Sequence, residues 1–158
     1  MPRALTLIST LAFCAPAFAQ DGTEIAMEDV PDLVLDTAMN TAPGVDFDRV
    51  SIEVENGVAI YEFEAKDHNG CHIEIDVTED GRLEEIEMEV SMEDVPEAVA
   101  TTLQREAPGF RADYIELSVR DGGGVYVYEF EGDVDGAAVD IEIAENGELL
   151  VLSDDYSS

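Results

Sequence analysis

The chain has 158 residues, with 38 Asp or Glu against 7 Lys or Arg, a formal net charge of −31 at neutral pH. Charge of that sign and density repels phosphate backbones and anionic headgroups, so nucleic acid and acidic membrane surfaces are excluded as partners. No segment beyond the N-terminus approaches the roughly 20 apolar residues of a membrane-spanning helix, and no membrane insertion is expected.

The first 19 residues read as a secretory signal peptide. Arg3 precedes an apolar run from Ala4 to Cys14, and Ala17-Phe18-Ala19 gives a small-x-small site for cleavage before Gln20. A lipoprotein signal at Cys14 is the weaker alternative, because bulky Phe13 stands where a small residue is required. Cleavage would leave a periplasmic or secreted chain whose single cysteine, Cys71, cannot form an intramolecular disulfide. Residues 20–26 form a flexible lead-in.

From there the chain repeats itself. MEDVP occurs at 27–31 and at 92–96, Ala-Pro-Gly at 42–44 and 107–109, Tyr-Glu-Phe-Glu at 61–64 and 128–131, and an acidic turn ends in Gly81 and again in Gly147. The spacing predicts a tandem duplication, with units at 27–90 and 91–153 and a tail at 154–158. The first helix is expected to start near Asp29 as a side-chain cap, with Pro31 in its first turn and Val30, Leu33, Val34 and Ala38 as its apolar stripe. Asp94, Pro96, Val95, Ala98, Val99 and Leu103 do the same in the second unit.

After each helix the apolar period falls to 2. Val50, Ile52 and Val54 alternate with acids up to the Asn56-Gly57 hairpin signal; Ala59, Tyr61 and Phe63, then Ile73, Ile75 and Val77, then Ile86, Met88 and Val90 continue the pattern. The second unit carries Ile115, Leu117 and Val119, then Tyr126, Tyr128 and Phe130, then Val139, Ile141 and Ile143, then Leu149 and Val151. The expected fold is α+β: two tandem units, each one helix packed on an antiparallel sheet of about four strands. The apolar face goes under the helix, and the opposite face is a ladder of carboxylates turned to water.

Val-Pro-Glu-Ala-Val-Ala (95–100), Ala-Pro-Gly-Phe (107–110), Val-Tyr-Glu-Phe-Glu (127–131) and Glu-Asn-Gly-Glu-Leu-Leu (145–150), with their shorter counterparts in the first unit, resemble the PepSY and PepSY-like domains. The resemblance spans about residues 27–152. It implies an envelope-associated domain that binds and restrains peptidases or other proteins, and a paired arrangement similar to the β-lactamase inhibitory proteins. It carries no catalytic motif and no cofactor. The partner it implies is an envelope protein such as a peptidase; the anionic surface by itself suggests a basic protein. A tyrosine expected to be exposed and the acidic face make Tyr114, Glu62, Glu64, Glu74, Glu85, Glu87, Glu129 and Glu131 the candidate contacts.

Two other groups deserve weighing. Glu131, Asp133, Asp135, Gly136 and Glu142 have the spacing of a calcium loop, but the flanks alternate as strands where that motif needs helices; weak Ca²⁺ binding is the alternative function they suggest. His68, Cys71 and His72 offer zinc or copper donors, yet on a strand His72 and Cys71 point to opposite faces. A catalytic acid needs burial, and every acid here is expected to face outward, so no enzyme activity is expected.

Overall fold

The computed structural model describes residues 22–154. The proposed signal peptide with its cleavage site, and residues 155–158 of the tail, lie outside them.

Twelve elements follow in order: β1 (Thr23–Glu24), a short 3-10 helix (Met27–Asp29), α1 (Asp32–Thr41), β2 (Arg49–Glu55), β3 (Val58–Lys66), β4 (His72–Thr78), β5 (Leu83–Glu89), α2 (Glu97–Glu106), β6 (Arg111–Arg120), β7 (Val125–Val134), β8 (Ala137–Ala144) and β9 (Leu149–Asp154). All nine strands form one antiparallel sheet in sequence order. This corrects the expected tandem of helix-on-sheet units, each with its own four-stranded sheet. β5 does not end a unit. It pairs with β6 across α2, through Ile86 opposite Val119 and Met88 opposite Leu117, which removes what would have been two exposed strand edges.

The apolar face carries both helices. Val30, Val34 and Ala38 pack with Val50, Phe63, Ile75 and Val77, while Val99 and Leu103 pack with Ile115, Tyr128, Phe130, Ile141 and Ile143. Both helices begin later than expected. Pro31 and Pro96 occupy the cap positions with extended backbone, without a side-chain cap bond. Asp94 instead accepts bonds from the backbone N–H (3.1 Å) and hydroxyl (2.6 Å) of Ser91. Leu33 is 59% exposed, off the expected stripe, and Tyr126, expected in the core, is 41% exposed.

Each helix is pinned to a distant turn by one hydroxyl. Thr37 Oγ1 donates to the Gly81 carbonyl at 2.9 Å, and buried Thr102 Oγ1 donates to the Gly147 carbonyl at 2.7 Å. Gly147 has φ +86°, and a Cβ there would stand 2.9 Å from the Ala98 carbonyl oxygen; Gly57 shares that φ but has open space around it. Gly147→Ala is therefore expected to cost more than the roughly 1–2 kcal/mol of a left-handed alanine, whereas Gly57→Ala costs only that. Urea midpoints of the two variants check it; equal shifts would show that the helix-to-turn contact yields freely.

Candidate functional site

The face opposite the helices is built by strand register. Because side chains alternate, Ser51, Glu62, Glu64, Glu74, Asp76, Glu85, Glu87, Glu89, Glu116, Glu129 and Glu142 share it, and the ladder sets them directly opposite one another. Glu62 faces Asp76, which faces Glu85; Glu64 faces Glu74, which faces Glu87. Glu89 faces Glu116, which faces Glu129, which faces Glu142. Like charges so placed repel, and each pair destabilises the ladder unless a counter-charge or a proton intervenes.

Arg120, at the end of β6, is the main internal counter-charge. Its guanidinium donates to Glu85 Oε1 (Nε, 2.8 Å), Glu129 Oε1 (2.5 Å) and Glu142 Oε2 (3.3 Å), tying together β5, β6, β7 and β8. Burial opposes its charge, but the bond and charge of Glu85, then Glu129 and Glu142, raise its pKa further. Glu85 also accepts the Ser118 hydroxyl. Glu85, Glu87 and Glu129 are the one set of three acids among the described residues whose carboxylate oxygens lie within 4.8 Å of one another, and Arg120 supplies the cation there. Arg49, bonded to Glu64, does the same at the other end of the face.

Between these arginines the acids lack a cation. Desolvation, then the neighbouring carboxylates, pushes Glu74 up to about 8, Asp76 to about 9 and Glu87 to about 10. Desolvation likewise lifts Glu129 to about 7 against the pull of Arg120, and Glu53 to about 7 beside Glu62 and Glu55. Asp76 Oδ1 is shielded from solvent and has no hydrogen-bond partner. At neutral pH, Glu74, Asp76 and Glu87 therefore hold protons. The expectation that every acid faces bulk water is corrected: the acids do point away from the helices, but crowding by their own neighbours takes several out of water.

The structure brings Glu62, Glu64, Glu74, Glu85, Glu87 and Glu129 onto one surface, with Glu131 exposed opposite Asp140 at its margin. Tyr114, expected to be exposed, is half-buried, and its hydroxyl donates to Glu116 Oε1 at 2.7 Å. The calcium-loop acids are not gathered. Asp133 is engaged by Arg111 (2.7 and 3.2 Å) and the Gly136 N–H (2.8 Å), which hold its pKa below the usual range. Asp135 and Gly136, at φ 55° and 86°, form a hairpin turn, and buried Glu142 belongs to Arg120. Of the metal-donor trio, His72 Nδ1 lies 3.3 Å from Glu116 Oε1 on the acidic face, while His68 is exposed in the preceding turn, which Asp67 closes by accepting the N–H of Asn69 and Cys71. Sequence reasoning missed Arg120; its signal was a lone cation at the end of an acid-facing strand.

No family model and no curated protein matches this chain. Solved structures do. A DUF2874 family protein from Bacteroides uniformis is 15% identical with a TM-score of 0.63, over 78% of this chain and 88% of that one. The chain has the fold of that protein. A BLIP-like protein from Bacteroides fragilis is 17% identical with a TM-score of 0.61, over 81% of this chain and 88% of the other. A protein from Bacteroides eggerthii, described as a candidate periplasmic protein, is 14% identical with a TM-score of 0.63, over 79% and 88%. None of these names PepSY.

Proposed function

We propose that the chain is a non-enzymatic binding module of the cell envelope that engages a basic protein through the acidic face of its sheet. The observation that carries this reading is the set of directly opposed acids over β3 to β8, whose repulsion the free chain relieves only in part, with two arginines and with protons held at Glu74, Asp76 and Glu87. A surface that stores repulsion in its free state gains most from a partner that brings positive charge. The N-terminal leader pattern and the neighbour described as periplasmic support the location, and the BLIP-like neighbour supports protein binding as the activity class. A peptidase with a basic rim is the partner class that the PepSY resemblance puts first.

The test compares two charge-matched triple variants for binding to lysozyme as a basic probe, by calorimetry at two salt concentrations. Glu62→Gln/Glu64→Gln/Glu131→Gln removes charge from the face; Asp32→Asn/Asp36→Asn/Glu97→Gln removes it from exposed helix positions. The face variant is expected to weaken binding at least several-fold more than the helix variant. Equal losses would mean that net charge alone acts, and the reading fails.

A further inference from the structure

At the end of the acidic face that carries the 121–124 loop, a groove of about 430 Å³ crosses β5 to β9. Its size is in the range of sites that seat one or two side chains. The floor is apolar: Val125, which is 40% exposed, then Val127, Ala144 and Leu150. These interrupt a face that is mostly carboxylate. In the first half, Val58 and Ile60 match Val125 and Val127 and are also apolar, but Thr78 and Glu84 stand where the groove has Ala144 and Leu150, so the complete apolar floor occurs only in the second half.

The rim is anionic and unmatched. Asp121 and Glu148 line the groove, are exposed, and make no salt bridge among the described residues. Arg120 forms one wall, but its charge is committed to Glu85, Glu129 and Glu142. An apolar trough ending in free carboxylates complements a side chain with an aliphatic stem and a cationic head. We infer that this groove seats a lysine or arginine side chain of the basic partner, with its stem on Val125, Ala144 and Leu150, above buried Val127, and its head at Asp121 and Glu148. This rests on the acidic face being the binding surface and names the point on it that anchors the partner.

The direct readout is methyl NMR of the full mature chain titrated with n-butylguanidinium, with guanidinium and n-butanol as separate controls. Saturable shifts at the Val125, Val127 and Leu150 methyls, larger than either control produces, are the expected result. Shifts as large with butanol, or centred elsewhere on the sheet, overturn the inference. A second readout uses Asp121→Lys/Glu148→Lys, which changes only exposed loop-end positions. It should weaken binding of the basic probe protein at least tenfold, with Tm within a few degrees of wild type. Binding that survives in that variant while the face variant abolishes it removes the groove and leaves the surface reading standing. A wild-type chain that binds no basic protein removes both.

Discussion

Raising the pH from about 5.5 to about 8.5 at constant ionic strength should lower the melting temperature of this protein. The sign follows from the acidic face. Unfolded carboxyls titrate near 4, whereas folded Glu74, Asp76 and Glu87 titrate near 8, 9 and 10 because their neighbours exclude water and repel their charge. Between those values the folded chain binds more protons than the unfolded one, so stability falls as pH rises. The contribution is fully present below about pH 4 and is lost as pH passes through the folded values. Asp67, Asp80, Asp94 and Asp133 act oppositely, with pKa values lowered by hydrogen bonds, so their contribution is lost as pH falls through the acid range. The optimum therefore lies near pH 5. One carboxyl that is protonated only in the folded state changes stability by about 1.4 kcal/mol per pH unit. At roughly 2–4 °C per kcal/mol for a chain of this size, a drop of at least about 5 °C is expected over the interval. Glu87→Gln, which fixes the neutral form in nearly the same shape, should raise the melting temperature at pH 8.5 and flatten the profile. A melting temperature that climbs with pH would show that these groups are ionised and well solvated.

The second large effect is at Arg120. Replacing it with methionine leaves Glu85, Glu129 and Glu142 facing one another without their cation, and Glu142 is only 8% exposed in its side chain. Removing one partner of a buried ion pair costs about 3 kcal/mol or more, and the urea midpoint at pH 7 should fall accordingly. Arg120→Lys should recover only part of the loss, since one ammonium cannot reproduce a planar fork that reaches three carboxylates. Acidification to about pH 5 should restore the methionine variant more than wild type, because protonation relieves the orphaned acids. As a contrast, Arg49→Met breaks a pair whose arginine is 43% exposed and should cost under about 1 kcal/mol. A loss at Arg120 no larger than at Arg49 would mean that its three carboxylates remain solvated.

How far the sequence reveals this design depends on what period-2 alternation encodes. It tells which face a side chain joins: Val50, Phe63, Ile75, Phe130, Ile141 and Ile143 all lie in the core as their alternation requires. It also marks the turns, since Asn56-Gly57 has the positive φ angles its residues suggest. It does not tell which strands are neighbours. Nothing in Leu83–Glu89 announces a partner beyond α2, so whether the sheets of the two repeats join is not legible in the sequence; the pairing of Glu87 with Ser118 and Met88 with Leu117 joins them. The same gap hid the site. That Asp76 points away from the helices is visible in its spacing; that Glu62 and Glu85 flank it at the same level, and so desolvate it, depends on register. The prolines act in a simpler way: Pro31 and Pro96 take the extended cap position, so each α-helix starts two residues later than an Asp29 or Asp94 cap would allow.

The order of the strands also bears on how the chain reaches this state. Every strand from β2 to β8 pairs with the one before it and the one after it, and none is inserted between earlier ones. Loop closure is therefore short throughout, and the longest reaches are those that pass over α1 and α2. A sheet of nine strands is normally slow to assemble because distant segments must meet. Here each strand can dock on an edge that already exists, so folding should run as a zipper from one end, faster than strand content alone suggests. Most of the successive edges are net acidic, β6 with Arg111 and Arg120 being balanced, and that charge disfavours the addition of unfinished chains to one another.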